Sequence, residues 1–157
     1  AEKKFEETKD TLIEFISKNS NEVPAIIFYL ECLIEQKQFE EANAFIESLE
    51  KDIQDNDEIK QLLKKMKIIS GNLSGPDIEE LINRLNKKPN DISLIVEIAD
   101  KYFSIQDYEN CFDLLLKHYS KNKDKVKEKM VEFFGALGNS NEHTIHYRKK
   151  LSQIMFS

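Results

Sequence analysis

The 157-residue chain is 40% hydrophobic and 33% charged, with four glycines, three prolines and a formal net charge of −6. These proportions fit an ordinary globular domain, and the scarcity of Gly and Pro disfavours turn-rich all-β folds while suiting long helices joined by short connections. The acidic balance argues against nucleic acid, whose phosphates need clustered Lys and Arg, and no stretch approaches the roughly 20 apolar residues that span a bilayer.

From the start of the chain, apolar residues recur at spacings of three and four. Phe5, Leu12, Phe15 and Ile16 form a first face, and Ile26, Tyr29, Leu30 and Leu33 a second. Phe39, Ala42, Ile46 and Leu49 follow, then Ile59, Leu62, Leu63 and Met66, then Ile78, Leu81, Ile82 and Leu85. Later faces are Ile95, Ile98 and Tyr102; Tyr108, Cys111 and Leu115; and Val126, Met130 and Phe133. The last carries Tyr147, Leu151, Ile154 and Met155, with Phe156 beside them. Strict alternation never persists long enough for a strand.

Breaks are expected at 19–21, 37–38, 55–57, 71–76, 89–91, 106–107, 121–123 and 138–141. Asp107 and Ser140 read as helix N-caps, and Pro76 as lying near a first helical turn. The fold class is therefore all-α, with about nine helices. The chain opens on Ala1 rather than Met, with Phe5 already in a helical pattern and no signal peptide, which reads as a piece of a longer protein. The Lys-rich runs at 64–67 and 121–127 are flanked by carboxylates and read as solvated faces.

Residues 21–49 align with residues 90–118 at a constant offset of 69 positions. That is twice roughly 34.5, close to the 34-residue tetratricopeptide (TPR) period. Asn21 meets Asn90, Tyr29 meets Ile98, Leu33 meets Tyr102, Phe39 meets Tyr108, Ala42 meets Cys111 and Ile46 meets Leu115. The second copy has the better repeat pattern: Pro89 in the closing position, Ala99 and Cys111 at the small positions where two helices approach closely. A helix pair is only half covered by itself and must stack on neighbours, so the expectation is a TPR-like, right-handed solenoid of antiparallel pairs. Residues 1–70 would form N-terminal repeats, 71–76 a joint, and 77–157 C-terminal repeats ending in a capping helix, as one continuous repeat domain.

Candidate chemistry is sparse. Cys32 and Cys111 have no Cys-x-x-Cys partner and sit among apolar residues, which reads as two buried free thiols and a reducing, cytoplasmic setting. His143 and His146 lie three apart without a third ligand at convincing spacing, so no metal is expected. No Gly-rich phosphate loop and no nucleophile with an identifiable base occur. Neither a cofactor nor an enzymatic activity is expected, which leaves a binding scaffold.

The stretch from Lys87 to Phe156 resembles the C-terminal repeat region of the bacterial thioredoxin–tetratricopeptide proteins, the YbbN-like chaperedoxins. The resemblance rests on the ending Phe134-Gly135-Ala136-Leu137-Gly138, a polar turn at 139–142, then Tyr147-Arg148-Lys149-Lys150-Leu151 before the apolar Met155-Phe156. Residues 19–66 look like the family's earlier helix pair. Leu30 and Cys111 depart from the family's small residues, and no redox Cys motif is present, so no thiol chemistry carries over. The resemblance implies a co-chaperone role, holding unfolded clients and docking on chaperonin or Hsp70; the alternative is a generic TPR adaptor that recognises one specific peptide partner.

In such a solenoid the first helix of each pair lines a concave groove. The positions off the core stripe are Ile27, Glu31 and Ile34 in one unit, and Val96, Asp100 and Phe103 in the other. Apolar patches separated by acids would suit extended, partly hydrophobic, basic segments of other proteins. In the last helix Tyr147, Leu151 and Ile154 are expected to face inward, leaving Met155 and Phe156 as an apolar tip for chaperone docking.

Overall fold

The computed structural model describes residues 2–157, with side chains described from Glu6 onward; the expectation for Phe5 lies outside these. Among the described residues there are ten α-helices and no strand: α1 Glu2–Lys18, α2 Val23–Glu35, α3 Phe39–Ser48, α4 Lys51–Gln54, α5 Asp57–Gly71, α6 Ile78–Lys87, α7 Ile92–Ser104, α8 Tyr108–Lys117, α9 Lys123–Leu137 and α10 Glu142–Met155. The fold is the expected all-α, TPR-like solenoid type. The tenth helix is the single turn α4, set off by extended backbone at Leu49 and Glu50 where no Gly or Pro signals a break. Gln54 holds that turn, its Nε2 donating to the Leu49 carbonyl at 2.7 Å.

The chain divides into two compact units, Ala1–Met66 and Lys67–Ser157, so that α5 begins in the first and ends in the second. In the first unit, α1 and α3 both pack on α2. Ile16, Ile26, Leu30, Leu33 and Ala42 are buried, and Tyr29 turns its ring edge to Phe45 at a centroid distance of 4.7 Å. The Tyr29 hydroxyl donates to Glu41 at 3.0 Å, and Lys9 reaches the same carboxylate at 3.2 Å, tying α1 to α3. Phe15, expected on the core face of α1, is instead 47% exposed: it lies 100° around the helix from Ile16, on the far flank of the buried stripe.

In the second unit α7 is central, packed by α6, α8 and α9, with α10 closing over α8 and α9. Its core is an aromatic row. Phe103 stacks on Phe133 (4.5 Å), while Phe112 stacks on Phe134 (5.2 Å) and on Tyr147 (4.7 Å). Cys111 is fully buried among them, as expected of a small position between helices. Cys32, by contrast, is only half buried, so the expectation of two buried thiols holds for one. Ile82 departs from its expected core face in the same way as Phe15.

The repeat is visible in the backbone. Shifting α2 and α3 by 69 positions reproduces the bounds of α7 and α8, and the end of α1 falls on the end of α6. The turns correspond as well: Lys37 and Gln106 have φ of 60° and 63°, non-glycine residues in the left-handed region. Gln38 N–H donates to the Leu33 carbonyl and Asp107 N–H to the Tyr102 carbonyl, both at 2.9 Å. Capping separates the copies. Asp91 and Asp107 cap α7 and α8 through their carboxylates, whereas Glu22 and Gln38 make no side-chain cap. At α10 the cap is Asn141 rather than the expected Ser140, its side chain accepting from His143 and Thr144 N–H. Pro76 lies outside α6, just ahead of the Asp77 cap.

Candidate protein-binding surface

The six groove positions fall at repeat-equivalent places, and two of the three equivalent pairs share an environment while Glu31 and Asp100 do not. Ile27 and Val96 are half buried, and Glu31 is exposed. Ile34 and Phe103 are core residues instead, Phe103 fully buried. The reason is helical geometry: Phe103 stands four residues after Ala99 and eight after Ile95, so it continues their buried stripe. Its ring meets Phe133 face to face and Tyr108 edge-on at 5.2 Å, leaving none of it for a partner.

Asp100 is held rather than free. Lys129 of α9 approaches its carboxylate at 2.6 Å, donates to Glu132 at 3.0 Å, and lies 5.0 Å above the Phe133 ring. The side chains of Lys129 and Asp100 are only 11% and 16% exposed, so the pair is nearly desolvated. Burial raises the Asp100 pKa against the opposing pull of Lys129, and Glu132 and Glu97 raise it further. For Lys129, burial favours the neutral amine, but Asp100 and Glu132 outweigh it and the net shift is upward. Sequence reasoning missed Lys129 because it stands at a core-flanking position of α9; only the packing of α7 on α9 brings it to Asp100.

Around this nearly desolvated pair α7 also carries the half-buried Glu97, and α9 the exposed Lys125, Glu128 and Glu132. Lys125 is paired with Glu128 at 2.9 Å. Lys125 and Lys129 are engaged by Glu128, Asp100 and Glu132, and with Glu97 the four carboxylates outnumber the two lysines.

On α10 the inward stripe is Thr144, Tyr147, Leu151 and Met155, a run of steps of three and four. Tyr147 and Leu151 pack as expected, but Ile154 and Met155 exchange roles. Met155 lies four residues from Leu151 and packs on the core, while Ile154 is 41% exposed. Phe156, 84% exposed, is left at the tip. The Tyr147 hydroxyl donates to Asp113 at 3.0 Å, locking α10 onto α8, and burial, with that carboxylate, pushes the phenol pKa up. His143 lies against Tyr108 and His146 against Tyr147, and no grouping of three metal-capable side chains occurs among the described residues. Burial raises Tyr108 to about 12, and no helix among the described residues is long and apolar enough to cross a membrane.

Two tetratricopeptide-repeat family models match the chain, one over residues 71–156 and the other over residues 1–66. The chain belongs to the tetratricopeptide-repeat family. The boundary between the two TPR matches falls where the two compact units meet. TPR arrays are in general non-catalytic modules that bind other proteins through the surfaces of their stacked helices. Comparison with curated proteins gives no match. Among solved structures the chain is similar to a domain of protein VP0806 (unknown function) from Vibrio parahaemolyticus RIMD 2210633, 25% identical over 94% of this chain and 90% of that one, with a TM-score of 0.45.

Proposed function

We propose that this TPR region is an adaptor that binds an extended, basic segment of a partner protein along the α7–α9 face of its second unit. The observation that supports this reading is the Asp100–Lys129–Glu132 arrangement, which leaves the face with engaged cations and surplus carboxylates. Burial of Ile34 and Phe103 removes much of the apolar area a groove for unfolded chains would offer. Val96 remains as a small apolar contact on α7. Charge, rather than area at about 25 cal/mol per Å², would then select the partner, and affinity would fall with added salt.

The co-chaperone reading, in which unfolded clients are held and passed to chaperonin or Hsp70, draws its support from the sequence ending and from the exposed Phe156. Fluorescence titration with lysine-rich and glutamate-rich peptides of equal length tests the adaptor reading. Preference for the basic peptide, weakened in Glu97→Gln and Glu132→Gln, supports it; equal or reversed preference overturns it. For the second reading, Phe156→Ser should abolish capture by purified chaperonin at unchanged melting temperature, since that side chain is exposed.

A further inference from the structure

The connection between α5 and α6 has little of its own to hold it. Asn72 finishes α5, its Nδ2 donating to the Ile68 carbonyl at 2.8 Å. Beyond it, Leu73 is 50% exposed, Gly75 has φ of 91° and Pro76 has no N–H to offer. A connection of this composition has wide conformational freedom unless something outside it intervenes.

That outside element is Lys101. From α7 its ammonium donates to the Ser74 carbonyl at 2.7 Å and to the Asn72 carbonyl at 2.9 Å, spanning 27 and 29 positions of sequence. Two of its three N–H bonds are thereby spent on the connection. We infer that Lys101 is a latch: it clamps the α5–α6 connection to α7, and loss of its ammonium releases the connection while the helices stay folded. Release stays local because the residues that bury α6 and α7, namely Leu81, Ile95, Ile98 and Ala99, make no use of Lys101. The freed carbonyls stand at the surface and turn to water. Asn72, Ser74 and Lys101 all belong to the second unit, so what the latch governs is the conformation of the α5–α6 connection within it. A charge-removing modification of this lysine would have the same effect as mutation.

Limited proteolysis of Lys101→Met by subtilisin, with the cut sites read by mass spectrometry, tests the latch. The expected result is nicking within 72–76 about tenfold faster than in the parent chain, with other sites and the melting temperature unchanged. An unchanged nicking rate in 72–76 overturns the inference, as does acceleration spread evenly over the chain. Should the variant fail to fold, the parent protein decides by NMR of its lysine ammonium groups. A slowly exchanging Lys101 signal with cross-peaks to residues 72–74 supports the latch, and rapid exchange with solvent overturns it.

Discussion

Phe103→Ala separates a core position from a groove position. In the structure the ring is fully buried at the meeting of α7, α8 and α9, stacked on Phe133 and edge-on to Tyr108. Truncation removes the transfer free energy of the ring and leaves a void whose walls come from three helices, which cannot all close in. Phe→Ala in such surroundings costs about 3–5 kcal/mol. A domain of this size holds only about 5–15 kcal/mol in total, and each kcal/mol moves its midpoint by about 4–8 °C. The midpoint of the second unit should therefore drop on the order of 20 °C. Far-UV circular dichroism melts and urea titrations measure it, with Phe156→Ala as control, because removing a side chain that exposed should change stability by less than about 0.5 kcal/mol. A loss below about 1 kcal/mol for Phe103→Ala would refute the packing argument and return this ring to the groove.

Lys129→Met strands the Asp100 carboxylate in its desolvated position and should cost about 3–5 kcal/mol near neutral pH. Asp100 already has a raised pKa when folded, and losing Lys129 raises it further. A raised folded value means stability present below the unfolded pKa and lost as pH rises through the folded one. The deficit of the variant should accordingly shrink as the pH is lowered from 7 toward 4, and a deficit independent of pH would count against the pairing. Gln38→Asp transplants the cap that Asp107 provides at the equivalent position and removes a buried amide oxygen without a partner. It should raise stability by about 0.5–1 kcal/mol in urea titrations, while Asp107→Ala should lower it by about 1 kcal/mol. Ellman's reagent should label Cys32 in the native protein and Cys111 only on unfolding, since burial both shields that thiol and pushes its pKa up.

The sequence by itself determined the repeat and the helices of the described residues other than the single turn α4. Apolar spacing of three and four is a property of the helix alone, so faces such as Ile26–Leu33 and Ile95–Tyr102 were legible without any partner. The 69-residue offset carried over to helix ends, to the left-handed residues Lys37 and Gln106, and to the turn hydrogen bonds, because all of these are made within a few residues of chain. What only the tertiary structure decided was which flank of each stripe meets a neighbour. Phe103 and Ile34 stand at the edge of their stripes, where a shift of a fraction of a turn separates groove from core, and the approach of α9 buries Phe103. The same approach brings Lys129 onto Asp100, a pairing with no local signature. At the chain's end, Met155 rather than Ile154 faces inward because Leu151, one turn earlier, is the residue that α8 and α9 hold in place. Local rules set the period of a helix, but its rotation about its own axis is set by what packs against it.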